Sequence, residues 1–173
     1  MLTPSERWSW TYCQERDRLL LDINEQLQFC SQLAGRQLTE KPVAKAFSMA
    51  EAETFWCLRD GLESLNLSDA QILELCLHAL AARYYAQHTG HKSWYFSEQS
   101  ACNIEEYQLV QLSGAELAIP ALVLQIEGGS ATCLLLNDGL SLSGKQLQRC
   151  SILRVLLNRL CPVSNMHYLA QTA

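Results

Sequence analysis

No apolar run in this sequence approaches the ~20 residues that a membrane-spanning helix requires. The segment Met1 to Arg7 also lacks a basic stretch leading into an apolar one. The chain is therefore expected to carry no secretory signal and to make no membrane insertion. Basic charge is in short supply: 13 Lys and Arg stand against 18 Asp and Glu, for a net charge of −5. Such a chain is a poor general binder of nucleic acid or of an anionic membrane, because phosphate binding needs concentrated positive charge.

Catalytic signatures are missing too. There is no G-x-S-x-G elbow, and no cysteine sits in a protease context. Gly128-Gly129 lacks the further glycine and the lysine of a phosphate-cradling loop. The eight cysteines, Cys13, Cys30, Cys57, Cys76, Cys102, Cys133, Cys150 and Cys161, include no C-x-x-C pair and lie mostly in apolar runs. They read as free thiols acting as small buried hydrophobes in a reducing cytoplasm. His88 and His91 in H-T-G-H sit at a helix exit without further ligands, so they read as surface histidines rather than a zinc pair. His78 in a helix and His167 in the tail have no evident partner. Asp17 and Asp22 read as polar groups of a hairpin. The expectation is no catalytic residue, no metal and no cofactor.

What the sequence does contain is folding information. With 173 residues, the chain suits one large domain or two small ones and buries about 70% of its unfolded surface. Trp8, Trp10 and Tyr12 alternate with Ser9 and Thr11, the period of a half-buried strand. Arg18–Ile23 and Gln26–Cys30 follow across short polar turns, giving a β-meander. Ser48 with Glu51, and Ser68 with Gln71, are capping-box pairs that open helices. The first carries Ala52, Phe55, Trp56 and Leu58 and ends near Gly61. The second, about Asp69 to Gln87, carries Ile72, Leu73, Cys76, Leu77, Ala79, Leu80 and Tyr84 as a core stripe and exits at Thr89-Gly90.

Beyond Lys92 the pattern changes to short strands at 93–96, 107–112, 121–127, 131–136, 140–142 and 145–148, separated by Gly-rich turns. A closed or sandwiched sheet follows from their spacing. A final helix is expected over Cys150 to Leu160, ended by Pro162. The fold class is α+β: an N-terminal α/β domain with a small antiparallel sheet and helices at 1–91, and a β-barrel-like C-terminal domain with a final helix at 92–173. Most tryptophans read as core. Lys92 and Arg159 each abut an apolar element, and read either as solvated charges at element ends or as the basic rim of an apolar groove.

Five pieces in one order, W-S-W-T-Y, D-R-L-L-L-D, N-L-S, K-S-W-Y-F and N-R-L-C-P, resemble the ZapC family of bacterial cell-division proteins. The likeness runs from Trp8 to Pro162 and is thin across 37–47 and 97–120. It implies a non-enzymatic, cytoplasmic protein recruited to the midcell division site. Such proteins bind polymerised FtsZ, bundle its protofilaments and restrain its GTP hydrolysis, with one contact pocket in each half. The resemblance carries Leu21 into the N-terminal contact region, and Lys92 and Arg159 into the basic rim of the C-terminal pocket. Trp94 is added here as an apolar floor. Ala86-Gln87-His88 stands where the family has further basic residues. A monomer is expected, since no heptad seam is present. The rival readings are an adaptor of another complex, a small enzyme or ligand-binding protein using the barrel interior, and a single-strand nucleic-acid binder.

Overall fold

The computed structural model describes residues 2–163, so His167 lies outside the described residues. The chain forms two compact units. One is built from residues up to Asp60 together with Leu67–His88, the other from Gly61–Asn66 together with residues from Thr89 onward. The fold class is α+β, as the sequence implies.

In the N-terminal unit, β1 (Ser9–Cys13), β2 (Arg18–Asn24) and β3 (Leu27–Cys30) form the meander. A two-residue strand, β4 (Lys45–Ala46), was not legible in the sequence and extends the antiparallel order to β3-β2-β1-β4. The alternation in W-S-W-T-Y turns both Trp8 and Trp10 inward, where they are buried. Strand β2 has a neighbour on each side, and Leu19, Leu20 and Leu21 are all buried, so both of its faces are covered. Each such leucine contributes about 1.5–3 kcal/mol by leaving water.

Both capping boxes form. Ser48 Oγ accepts from the Glu51 amide while Glu51 Oε2 accepts from the Ser48 amide, opening α1 (Met49–Leu62). Ser68 and Gln71 do the same for α2 (Asp69–Tyr85). Helix α2 is buried on nearly every face, including Ala79, Leu80, Ala81 and Ala82 in succession. Tyr84 donates to Ala50 O at 3.1 Å and meets Thr54 Oγ1 at 2.8 Å, tying α2 to α1. The helix does not run on to a glycine exit. Ala86 turns extended and pairs with Leu38 as an isolated bridge, because the chain there meets a backbone partner before it reaches Gly90. His78, expected without a partner, is buried with its ring edge-on to Phe29, centroids 4.8 Å apart.

The C-terminal unit holds β5 (Leu109–Ser113), β6 (Ala118–Glu127), β7 (Ser130–Leu135), β10 (Ile152–Leu156) and β11 (Leu160–Pro162) in the antiparallel order β10-β7-β6-β5-β11. The short ribbon of β8 (Gly139–Leu140) and β9 (Gln146–Leu147) is separate. The sheet is open, so the barrel description is only loosely met. The hairpin between β6 and β7 turns on Gly128 and Gly129, both at positive φ (55° and 77°). That is what a two-residue turn of matching twist demands.

Two sequence expectations fail here. The final helix over Cys150 to Leu160 is instead β10, a 3-10 turn at Leu157–Arg159, and β11. Its aliphatic residues satisfy both periods, but Leu153 and Val155 are buried while Arg154 between them reaches Ser130 Oγ at 2.9 Å, which is the two-residue period of a strand. Pro162 lies on edge strand β11, where a missing amide is tolerated. The strand expected at Ser93–Phe96 is a 3-10 turn over Ser93–Tyr95. The core of this unit gathers Val110, Leu112, Ala121, Val123, Cys133 and Val155, with Tyr95 and Phe96 on it.

Candidate partner-binding surface

The K-S-W-Y-F piece is a tight turn clamped from several sides. The Lys92 amide donates to Arg154 O at 2.7 Å and the Leu156 amide donates to Ser93 Oγ at 2.8 Å, docking the turn on β10. On its other side the Leu142 amide donates to Tyr95 O at 2.8 Å. Tyr95 and Phe96 are buried, and in so short a turn that commits the preceding residue to solvent. Trp94 is 60% exposed, its ring edge-on to Tyr95 at 5.6 Å. Leaving an indole this open forgoes most of its burial energy, so Trp94 adds little to the core and is available to solvent.

The Lys92 ammonium lies over the Trp94 ring, 5.1 Å from its centroid. This is a cation–π contact of about 0.5–1 kcal/mol at an exposed site. Arg159 comes from the 3-10 turn between β10 and β11. Its Nε donates to Ser93 O at 3.1 Å and its Nη1 to Asn158 Oδ1 at 2.8 Å. Its guanidinium is thus fixed by the same turn that carries Lys92 and Trp94. Glu98 sits beside it, one oxygen accepting from Asn158 Nδ2 at 2.8 Å and the other 3.9 Å from Arg159 Nη1.

Three of the four sequence candidates, Lys92, Trp94 and Arg159, therefore converge on one short turn of the C-terminal unit. Trp94 is an outward projection rather than a floor. Leu21 belongs to the N-terminal unit and is fully buried in β2, with Trp10 and Phe29 as its cross-strand partners. Its contribution to any surface runs through the strand that it holds in place. Sequence reasoning did not single out Asn158, Glu98 or the half-exposed Leu156. Asn158 was within reach, being the first letter of N-R-L-C-P. Glu98 was not, since only folding brings it to Arg159 from 61 positions away (159 − 98).

Elsewhere, several titratable groups are tied into the fold by hydrogen bonds or burial. The Asp17 carboxylate accepts from Tyr12 Oη at 2.6 Å and from the Gly35 amide at 2.8 Å, and these bonds hold its pKa below the ordinary 3.8. Asp22 accepts from Gln28 Nε2 at 2.6 Å. Both are hairpin polar groups, as the sequence suggests. Burial pushes the thiols of Cys76 and Cys133 up to about 12. All eight cysteines are free, but Cys30, Cys57 and Cys102 are exposed, so the reading of these thiols as buried hydrophobes fails for those three. His88 is exposed, and His91 is partly buried with its Nδ1 unpartnered among the described residues. Among the described residues no helix is long and apolar enough to cross a membrane.

Comparison with known proteins gives a consistent result. The family model described as cell-division protein ZapC, N-terminal, matches residues 1–87, and its C-terminal counterpart matches residues 91–166. Cell division protein ZapC of Pseudoalteromonas atlantica is 32% identical over 170 residues, 94% of each chain. That of Vibrio vulnificus is 30% identical over 180 residues, covering all of this chain and 98% of its own. That of Pseudoalteromonas translucida is 28% identical across 96% of this chain and 97% of its own.

Proposed function

This chain belongs to the ZapC family of cell-division proteins, and from that premise we propose that it binds polymerised FtsZ through two surfaces and so crosslinks protofilaments in the Z-ring. One surface is the Lys92–Trp94–Arg159 cluster. The other belongs to the half that holds Leu21 in strand β2. We take the functional halves as 1–91 and 92–173. The protein acts as a cytoplasmic monomer, recruited to midcell by the polymer itself, and has no reaction of its own to perform.

The mechanism is avidity. A weak contact with one protofilament becomes a strong one when a second site on the same molecule engages a neighbour, because the second binding event is effectively intramolecular. Filaments held side by side exchange subunits slowly, and slow exchange restrains GTP hydrolysis without a catalytic residue on this chain.

The observation that carries this reading is the open indole of Trp94 beneath Lys92 and beside a pinned Arg159. An aromatic anchor with a basic flank is how interface hot spots are built. Co-sedimentation with FtsZ polymers tests it. Wild-type protein is expected in the pellet, and Lys92→Glu together with Arg159→Glu is expected in the supernatant. An unpelleted wild type, or a charge-reversed variant that pellets as well as wild type, removes the reading.

A further inference from the structure

The neighbourhood of Trp94 also specifies what chemistry the partner must offer. Arg159 is held by the fold itself, through Ser93 O and Asn158 Oδ1. Its orientation does not depend on Glu98. Glu98 nevertheless occupies the space beside it, with a side chain 69% exposed. It makes one good hydrogen bond, from Asn158 at 2.8 Å, and one loose charge contact, to Nη1 at 3.9 Å. A guanidinium can instead hold a carboxylate by two parallel bonds, which are shorter and stronger. The place is filled, but filled poorly. Lys92, the second cation of the cluster, makes no ion pair among the described residues and rests on the Trp94 ring.

We propose that Arg159 and Asn158 form a carboxylate seat that Glu98 occupies in the free protein. A partner displaces Glu98 with a carboxylate of its own while a neighbouring apolar side chain packs on Trp94. This rests on the same surface being the partner-binding one, and it names the recognised chemistry: an acidic segment that carries a bulky apolar residue. The positive charge of Lys92 suits a second acid on the other side of that residue. In a chain of net charge −5 such a locally basic spot is selective, since the rest of the surface repels the same segment. Two cations beside a resident acid are too few for a nucleic-acid backbone, whose binding grows with each phosphate neutralised.

The resident acid makes the idea testable, because removing it should strengthen binding. Glu98→Gln keeps a carbonyl oxygen for Asn158 and deletes only the competing charge. Glu116→Gln removes an equal charge from an exposed loop position and serves as the control. The probe is a dye-labelled peptide, Glu-Glu-Phe-Glu-Glu, followed by fluorescence anisotropy. Glu98→Gln is expected to bind it about two- to five-fold more tightly than wild type, the range of an exposed ion pair, with Glu116→Gln unchanged. Trp94→Ala is expected to bind about ten-fold more weakly. No gain with Glu98→Gln overturns the proposal, as does an equal gain with Glu116→Gln or tighter binding of an oligothymidine probe than of the peptide. FtsZ co-sedimentation of the same proteins separates the two readings. A peptide gain without FtsZ pelleting upholds the seat and removes FtsZ as its partner. FtsZ pelleting without a Glu98→Gln gain removes the seat alone.

Discussion

The indole Nε1 of Trp10 donates to Glu51 Oε1 at 2.7 Å, linking strand β1 to the start of α1. The other oxygen of the same buried carboxylate accepts from the amide and the hydroxyl of Ser48, at 2.7 Å and 2.8 Å. One side chain thus satisfies three donors and joins sheet to helix. Glu51→Ala would strand the Trp10 donor inside the protein and remove half of the capping box. It is expected to lower stability by about 2–4 kcal/mol, from an unsatisfied buried donor and a lost cap together. Glu51→Gln, which keeps one acceptor oxygen, should lose roughly half as much. Urea unfolding of the two variants checks both the size and the order.

Tyr12 and Asp17 are predicted to titrate as a pair. The hydrogen bond from Tyr12 lowers the Asp17 pKa below 3.8 and raises that of Tyr12 above 10.0. The folded state therefore prefers the ionised aspartate. Its contribution is present above pH 3.8 and fades as pH falls through the lower folded value. For Tyr12 the folded state prefers the neutral phenol, so the contribution is present below pH 10.0 and fades as pH rises through the higher folded value. Tyr12→Phe keeps a ring beneath Lys41, whose Nζ lies 4.7 Å from the Tyr12 centroid, but loses the donor. In that variant the Asp17 carboxyl should move back toward its ordinary range, as read by carbon NMR titration. An unmoved titration would mean that the Gly35 amide, with the nearby Arg18 and Lys41 charges, suffices to hold it down.

Thiol labelling should divide the cysteines by environment. Cys76, Cys133 and Cys150 are buried, and for the first two burial disfavours the reactive thiolate. Cys30, Cys57 and Cys102 are exposed. A chromogenic disulfide reagent at pH 8 is expected to modify those three in the fast phase on folded protein, and all eight after denaturation. Fast labelling of Cys133 would contradict its place in the sheet core. Mass spectrometry of the labelled peptides identifies the sites.

What was legible in the sequence was local. Both capping boxes, the first three strands and the glycine turn of β6–β7 are written in neighbouring residues, and they formed as read. The segment Cys150–Leu160 misled because its aliphatic residues fit a helix as well as a strand. Pairing of Ile152–Leu156 with Leu134–Ser130 decided between them, and that partner is distant in sequence. The 3-10 form of Ser93–Tyr95 was hidden for the same reason: its clamps are Arg154, Leu156 and Leu142. At the candidate surface, Lys92, Trp94 and Arg159 stood out as residue types. That Ser93 O would fix the guanidinium of Arg159, and that Glu98 would sit beside it, needed the fold.

The two tryptophans Trp10 and Trp94 are chemically identical, and truncating each should separate folding from binding. Trp10 is fully enclosed and bonded to Glu51, so Trp10→Ala is expected to cost about 3–5 kcal/mol and to leave little folded protein. Trp94 is mostly in water, so Trp94→Ala should change stability by less than about 1 kcal/mol. If it is the anchor for FtsZ polymers, the same variant should nonetheless fail to co-sediment, since truncation of a central aromatic removes about 2 kcal/mol or more of binding. Leu21→Ala gives the contrasting case. Its side chain is sealed in β2, so it should lose about 3 kcal/mol of stability, with any loss of polymer binding following the unfolded fraction. Unfolding curves and pelleting measured on one set of proteins decide this. A Trp94→Ala variant that folds and pellets like wild type would place the FtsZ contact elsewhere on the molecule.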